Sequence, residues 1–294
     1  MLTLLRIMKF GSIKLINKST RFINLYNELQ KLWTNYQNQL DTVGLSWTIP
    51  TSFYQNEVAS VMNNPFYVPT ERGLQSIFSL GKNSIQNISD SLFNQFANLD
   101  SVARNFTSET LIEPLDISYK NIDGRGYIRK RNDQQFYSLF NGASGYKSTI
   151  PIVLVVKYYN EIKKKQKTFL IEEPELNLFP KVQQELIKYL VSETVNKKNQ
   201  ILLTTHSPYT LTALNNLMYA FNVGQNHYEK ANNIIDKKYW INPSEVSAYI
   251  LLKDGRCENI LDSEDGLIKA EMIDTISDDI NLTYAKLGEI KYGS

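Results

Sequence analysis

The segment Phe169-Leu170-Ile171-Glu172-Glu173-Pro174-Glu175-Leu176-Asn177-Leu178-Phe179-Pro180 leaves this chain few ways to fold. An apolar run the length of a buried strand begins at Thr168, ends abruptly in carboxylates and is closed off by proline. A helix opens after Pro180, with Val182, Leu186, Tyr189 and Leu190 along one face. A second apolar strand, residues 201–205, then ends at His206. Buried strands alternating with helices from about residue 136 onward are the pattern of an α/β core. Open sheets of that class place their ligands at the C-terminal ends of the strands. Glu172, Glu173 and His206 stand at two such ends.

The remaining pattern is less regular. Residues 21–40 put Phe22, Leu25, Leu29, Leu32, Trp33, Tyr36 and Leu40 at helical spacing. Residues 84–105 read as one or two exposed helices. Residues 115–119 and 126–130 flank Asp123-Gly124, a hairpin signal. Residues 148–165 read as a helix with Pro151 in its first turn. Residues 219–223 and 248–252 read as further strands, and residues 267–291 as helical.

Composition removes several classes of function. Lys and Arg total 32 against 30 Asp and Glu, so no global charge favours nucleic acid or a membrane surface. One cysteine and two histidines rule out a disulfide framework and multi-cysteine or histidine-rich metal sites. The longest apolar run, residues 150–156, is too short to span a bilayer. A cytoplasmic protein is expected.

The residues at the strand ends suit phosphate chemistry. Glu172 offers the hard oxygen that Mg2+ accepts, and Glu173 a carboxylate able to polarise a water for attack on a phosphoryl group. A solvated acidic turn is the plain alternative. His206 can donate to a phosphate oxygen while its other nitrogen is held by a structural partner, although a lone histidine also serves as structure alone. Upstream lies Asn141-Gly142-Ala143-Ser144-Gly145-Tyr146-Lys147-Ser148, small residues before an apolar helix. Such a helix start presents free N–H groups to an anion, or is simply a loop with an N-cap.

In this order the three segments resemble the signature loop, the Walker B and D-loop segment, and the switch histidine of ABC-type ATPases. The likeness is strongest to the overcoming-lysogenization-defect, RecF and SMC-like branch of AAA ATPases, in the P-loop NTPase superfamily. It runs from about Pro65 to the C-terminus and takes in Tyr67-Val68-Pro69-Thr70-Glu71-Arg72 and Val246-Ser247-Ala248-Tyr249. The resemblance implies an α/β, P-loop NTPase-like core with parallel strands and a helical insertion. It divides the chain into an N-terminal helical segment (1–64), a helical and hairpin insertion (65–135) and an ATPase core (136–294). ATP and Mg2+ are the implied cofactors, with Glu172 as the metal ligand, Glu173 as the catalytic base and His206 as the γ-phosphate sensor. Ser144, Gly145 and Lys147 fall on the signature loop, which contacts nucleotide held by the opposite subunit, and Glu175 and Asn177 fall on the D-loop. The Walker B acid is Glu here rather than Asp.

A nucleotide-sandwich homodimer, or a complementing ATPase lobe, is the partner so implied, and an effector protein stays open. Relatives in this branch act in DNA repair or phage defence. The one basic run weighed for nucleic acid, Lys163-Lys164-Lys165-Gln166-Lys167, reads better as a solvated helix end.

The sequence departs from the family at the phosphate loop. No clean G-x-x-x-x-G-K-[ST] occurs. The segment Gly11-Ser12-Ile13-Lys14-Leu15-Ile16-Asn17-Lys18-Ser19-Thr20 ends as such a loop would, but Ser12 and Asn17 stand where the glycines belong. Gly81-Lys82-Asn83-Ser84 lacks the spaced first glycine. The nucleotide-anchoring lobe is therefore expected to be degenerate or missing. The strand at residues 201–205 would then need a cover for its apolar edge: residues 2–16, a partner chain or a dimer mate. A non-hydrolysing interaction module that keeps the dimerising surface is the alternative function.

Overall fold

The computed structural model describes residues 2–8, 65–74, 91–105, 109–163, 167–194, 197, 199–252, 256–269 and 282–287. Its central sheet has six strands in the order β10-β9-β1-β8-β7-β2. These are β1 (Leu2–Met8), β2 (Pro65–Val68), β7 (Thr168–Glu172), β8 (Gln200–Thr205), β9 (Val246–Leu251) and β10 (Cys257–Asn259). Strands β2, β7 and β8 are parallel neighbours, and every residue of β7 is buried, as a strand covered on both faces requires. A second, antiparallel sheet holds β3 (Thr110–Ile112), β4 (Ile117–Ile122), β5 (Arg125–Lys130) and β6 (Tyr137–Ser138). Its tight turn is Asp123-Gly124, both at positive φ (51° and 79°), as that hairpin signal predicts.

Helix α1 (Ser91–Arg104) packs on α2 (Ser144–Tyr158), and α3 (Pro180–Glu193) packs on α4 (Pro208–Gly224). A short helix, α5 (Tyr228–Ile234), follows. Helix α2 is buried on all sides between Ser148 and Val156, which explains why its sequence shows no polar face. Rings of Phe66, Phe96, Tyr159 and Phe169 meet beside its C-terminus at centroid distances of 5.7–6.4 Å.

Several expectations change. Helix α2 begins at Ser144, not at 148, so Pro151 lies in the helix interior. The missing proline N–H leaves the carbonyl of Lys147 without its helical donor, while the next carbonyl, of Ser148, accepts from Arg72 Nε at 2.9 Å. Residues 219–223 are not a strand but the last turns of α4. That helix starts on Ser207, whose hydroxyl caps the N–H of Thr210, and on Pro208 at its first position. Residue 268 does not begin a helix but bridges to Leu261, and residues 282–287 are helical. The expected helix at 21–40 lies outside the described residues, as do both candidate phosphate loops.

The exposed edge of β8 is covered by this chain itself. Strand β1 pairs with it antiparallel from Thr3 opposite Thr205 to Met8 opposite Gln200, and pairs on its other side with β9. Its direction matters. The chain enters β1 at the Thr205 end and leaves it at the Gln200 end, about 17 Å away at 3.3 Å per residue. A strand that delivered a phosphate loop to the His206 end would have to run parallel to β8.

Candidate functional site

The parallel register sets Glu172 opposite Thr204, so the acids that follow β7 and the histidine that follows β8 emerge side by side. At that point Glu173 leaves extended geometry, with φ +39°. Its N–H donates to the Thr204 carbonyl at 3.0 Å, and its carboxylate Oε1 lies 3.3 Å from His206 Nε2. The imidazole is half exposed.

Glu172, by contrast, is buried. Its side chain is 5% exposed and one oxygen, Oε2, has no partner. Burial pushes its carboxyl up to about 7, against the opposing hydrogen bonds of the Tyr67 hydroxyl and the Thr70 N–H. A buried carboxylate oxygen without a donor is the kind of oxygen that a hard cation takes, so the residue fits Mg2+. Among the described residues no three His, Cys, Asp or Glu side chains gather to hold a metal alone. Mg2+ needs only one or two carboxylates when phosphates complete its shell.

The third carboxylate of this segment has a different task from its neighbours. Glu175 Oε1 accepts from the Thr205 hydroxyl at 2.5 Å and from the His206 N–H at 3.0 Å, tying the loop after β7 to the segment after β8. Burial raises its pKa, and Oε2 is unpartnered. A second strap runs alongside. Gln183 donates to the Leu178 carbonyl at 2.9 Å and accepts from the Ser207 hydroxyl at 2.6 Å. Between the straps lies an open cleft of about 500 Å3, lined by Glu173, Glu175, Asn177, Phe179, His206 and Ser207 among others. Phe179 stands at its rim, 83% exposed.

The start of α2 is locked onto the same loop. A Cβ on Gly145 would lie 2.8 Å from the Asn177 carbonyl oxygen, so only glycine permits the approach. The Ser148 hydroxyl is within hydrogen-bond reach of two carbonyls, Gly145 at 3.1 Å and Leu176 at 2.8 Å. Asn177 takes φ +63°, a conformation that asparagine tolerates better than most residues. Ser144 is the first residue of the helix and is exposed. It is not an N-cap: Ala143 occupies that position and makes no side-chain cap.

The structure thus brings Glu172, Glu173, Glu175, Asn177, Gly145 and His206 into one region, with Ser144 beside Gly145. Lys147 stands apart from the cleft, its ammonium 5.7 Å from the centre of the Phe140 ring. Sequence reasoning missed Thr205, Gln183 and Arg72. Thr205 and Gln183 sit among other polar residues and carry no separate signal, and Arg72 stood only within the Tyr67–Arg72 stretch, with no role given to it.

A family model described as an AAA ATPase domain matches residues 12–211, a span that includes Lys18-Ser19-Thr20 as well as every candidate site residue. No curated protein and no solved structure matches the chain.

Proposed function

This chain belongs to the AAA ATPase domain family, and from that membership we propose that it binds and hydrolyses ATP as a nucleotide-sandwich dimer of the ABC type. One observation carries the reading: Glu173 and His206 meet at 3.3 Å at the ends of adjacent parallel strands, with Glu172 and Glu175 flanking them. The three-strand parallel core with its helices is compatible with a P-loop NTPase-like fold.

In this mechanism Glu173 is the general base that takes a proton from the attacking water. His206, oriented by Glu173 and by the Glu175 bond to its N–H, donates to a γ-phosphate oxygen. Glu172 would hold Mg2+, which when bound neutralises charge on the phosphates. Ser144, Gly145 and Lys147 act in trans, the N–H groups at the start of α2 facing nucleotide held by the opposite subunit. Asn177 lies beside them on the D-loop. A homodimer mate or a complementing ATPase lobe is the partner that this reading requires, and DNA repair or phage defence is the process it suggests.

The test is ATP turnover of Glu173→Gln against wild type. Removing a positioned base lowers the rate by about 10²–10⁴-fold. Equal turnover would move the base elsewhere, with Glu175 next in line. A second reading, a non-hydrolysing module that keeps the association surface, is favoured by the direction of β1, which carries the chain away from the His206 end. A wild-type protein that neither binds nor turns over ATP, yet self-associates, would select it.

A further inference from the structure

Arg72 is fully buried, and its guanidinium makes four hydrogen bonds, all to main-chain carbonyls. Nε donates to Ser148 at 2.9 Å, Nη1 to Pro69 at 2.9 Å and to Glu172 at 2.7 Å, and Nη2 to Glu173 at 2.7 Å. The acceptors come from its own turn, the start of α2 and the end of β7. Burying an arginine without a carboxylate in direct contact is costly, and nearby Glu175, Glu172 and Glu173 supply only a longer-range balance.

The last two bonds are the informative ones. Successive carbonyls of an extended strand point to opposite sides, yet those of Glu172 and Glu173 reach the same guanidinium. The chain manages this by turning Glu173 to φ +39°, a left-handed conformation that a residue with a long side chain adopts only when its surroundings hold it there. The same turn leads the Glu173 side chain to His206.

We infer that Arg72 is a positioning residue: its fork holds the Glu173 backbone in the left-handed turn that presents the Glu173 carboxylate to His206 and to the attacking water. This rests on the hydrolytic reading above. Lysine in its place keeps the charge but offers a single ammonium, which cannot span carbonyls from three segments.

Steady-state ATP turnover of wild type, Arg72→Lys, Glu173→Gln and the double variant tests it. Arg72→Lys is expected to lower kcat by about 10- to 100-fold, the effect of a misplaced base, with KM within about twofold of wild type. In the Glu173→Gln background the same change should alter residual turnover by less than about twofold, because no base is left to position. If Glu173→Gln is slow but Arg72→Lys keeps wild-type kcat, or if the two losses multiply in the double variant, the assignment to Arg72 is overturned while the role of Glu173 stands. If Glu173→Gln matches wild type, the base lies elsewhere, and the role of Glu173 falls together with this inference.

Should Arg72→Lys prove too unstable to assay, thermal melting of Arg72→Lys in the Glu173→Gly background decides. Glycine takes positive φ freely, so the melting loss should shrink, or a cooperative transition return. An equal loss in both backgrounds, or an unfolded chain in both, would mean that the arginine serves the fold at large and not Glu173.

Discussion

Replacing Glu172 with glutamine should remove a loss of stability that the wild-type chain suffers as pH rises. Burial lifts the Glu172 carboxyl from 4.5 to about 7, with Glu71 and Glu173 adding repulsion and Tyr67 and Thr70 opposing it. Between those values the unfolded chain has released the proton while the folded chain keeps it. The folded state then binds more protons, so the free energy of unfolding falls with rising pH. The favourable term is whole below about pH 4.5 and gone above about pH 7. At about 1.4 kcal/mol per pH unit, the interval from 4.5 to about 7 amounts to about 3 kcal/mol. Glutamine copies the shape and donor capacity of the protonated acid without titrating. Urea unfolding of both proteins from pH 4.5 to 8, without nucleotide or Mg2+, reads the effect as a difference. Other raised carboxyls, such as Glu175 and Asp100, contribute to both chains and cancel. The variant should gain about 3 kcal/mol on wild type across that range. A difference that stays constant with pH would refute the reasoning and show that Glu172 is already ionised in the folded chain.

Gly145→Ala should destabilise by about 1–3 kcal/mol, the usual effect of forcing a methyl into a packed contact, since its Cβ would meet the Asn177 carbonyl oxygen at 2.8 Å and Leu178 Cδ2 at 3.1 Å; denaturant midpoints measure this, and an unchanged midpoint would mean that the loop at Asn177 can yield. Ser144→Arg should abolish ATP-dependent dimerisation while leaving the melting temperature unchanged, because Ser144 is exposed and makes no cap. Sedimentation with and without ATP decides it, and a variant that still dimerises with ATP ends the trans-acting role.

What the sequence made legible was what strand ends and turns write locally. The apolar run into Glu172 and Glu173, the second run into His206 and the Asp123-Gly124 hairpin all lie in single short segments, and the structure holds them as read. Errors arose where a short pattern has two physical solutions. Residues 219–223 are apolar enough for a strand, but Ser207-Pro208 is a strong helix start and nothing interrupts the helix before its end at Gly224. Pro151 suggested a first turn because proline usually needs one, yet the helix begins seven residues earlier, at Ser144.

The residues that hold the site in shape were the least legible, and for a common reason. Glu173 and His206 announce themselves because their chemistry is intrinsic to the side chain. Arg72, Ser148 and Gln183 act largely through carbonyls and hydroxyls contributed by other segments, up to 101 residues away along the chain. Their importance is created by the register of β7 against β8 and by the approach of Gly145 to Asn177, neither of which exists before folding. The left-handed turn at Glu173 shows the consequence. Its cost is local, but the bonds that sustain it come from Arg72 on one side and Thr204 on the other. The geometry of the Glu173–His206 pair is therefore a property of the folded sheet end as a whole, and substitutions well away from the two residues should move it.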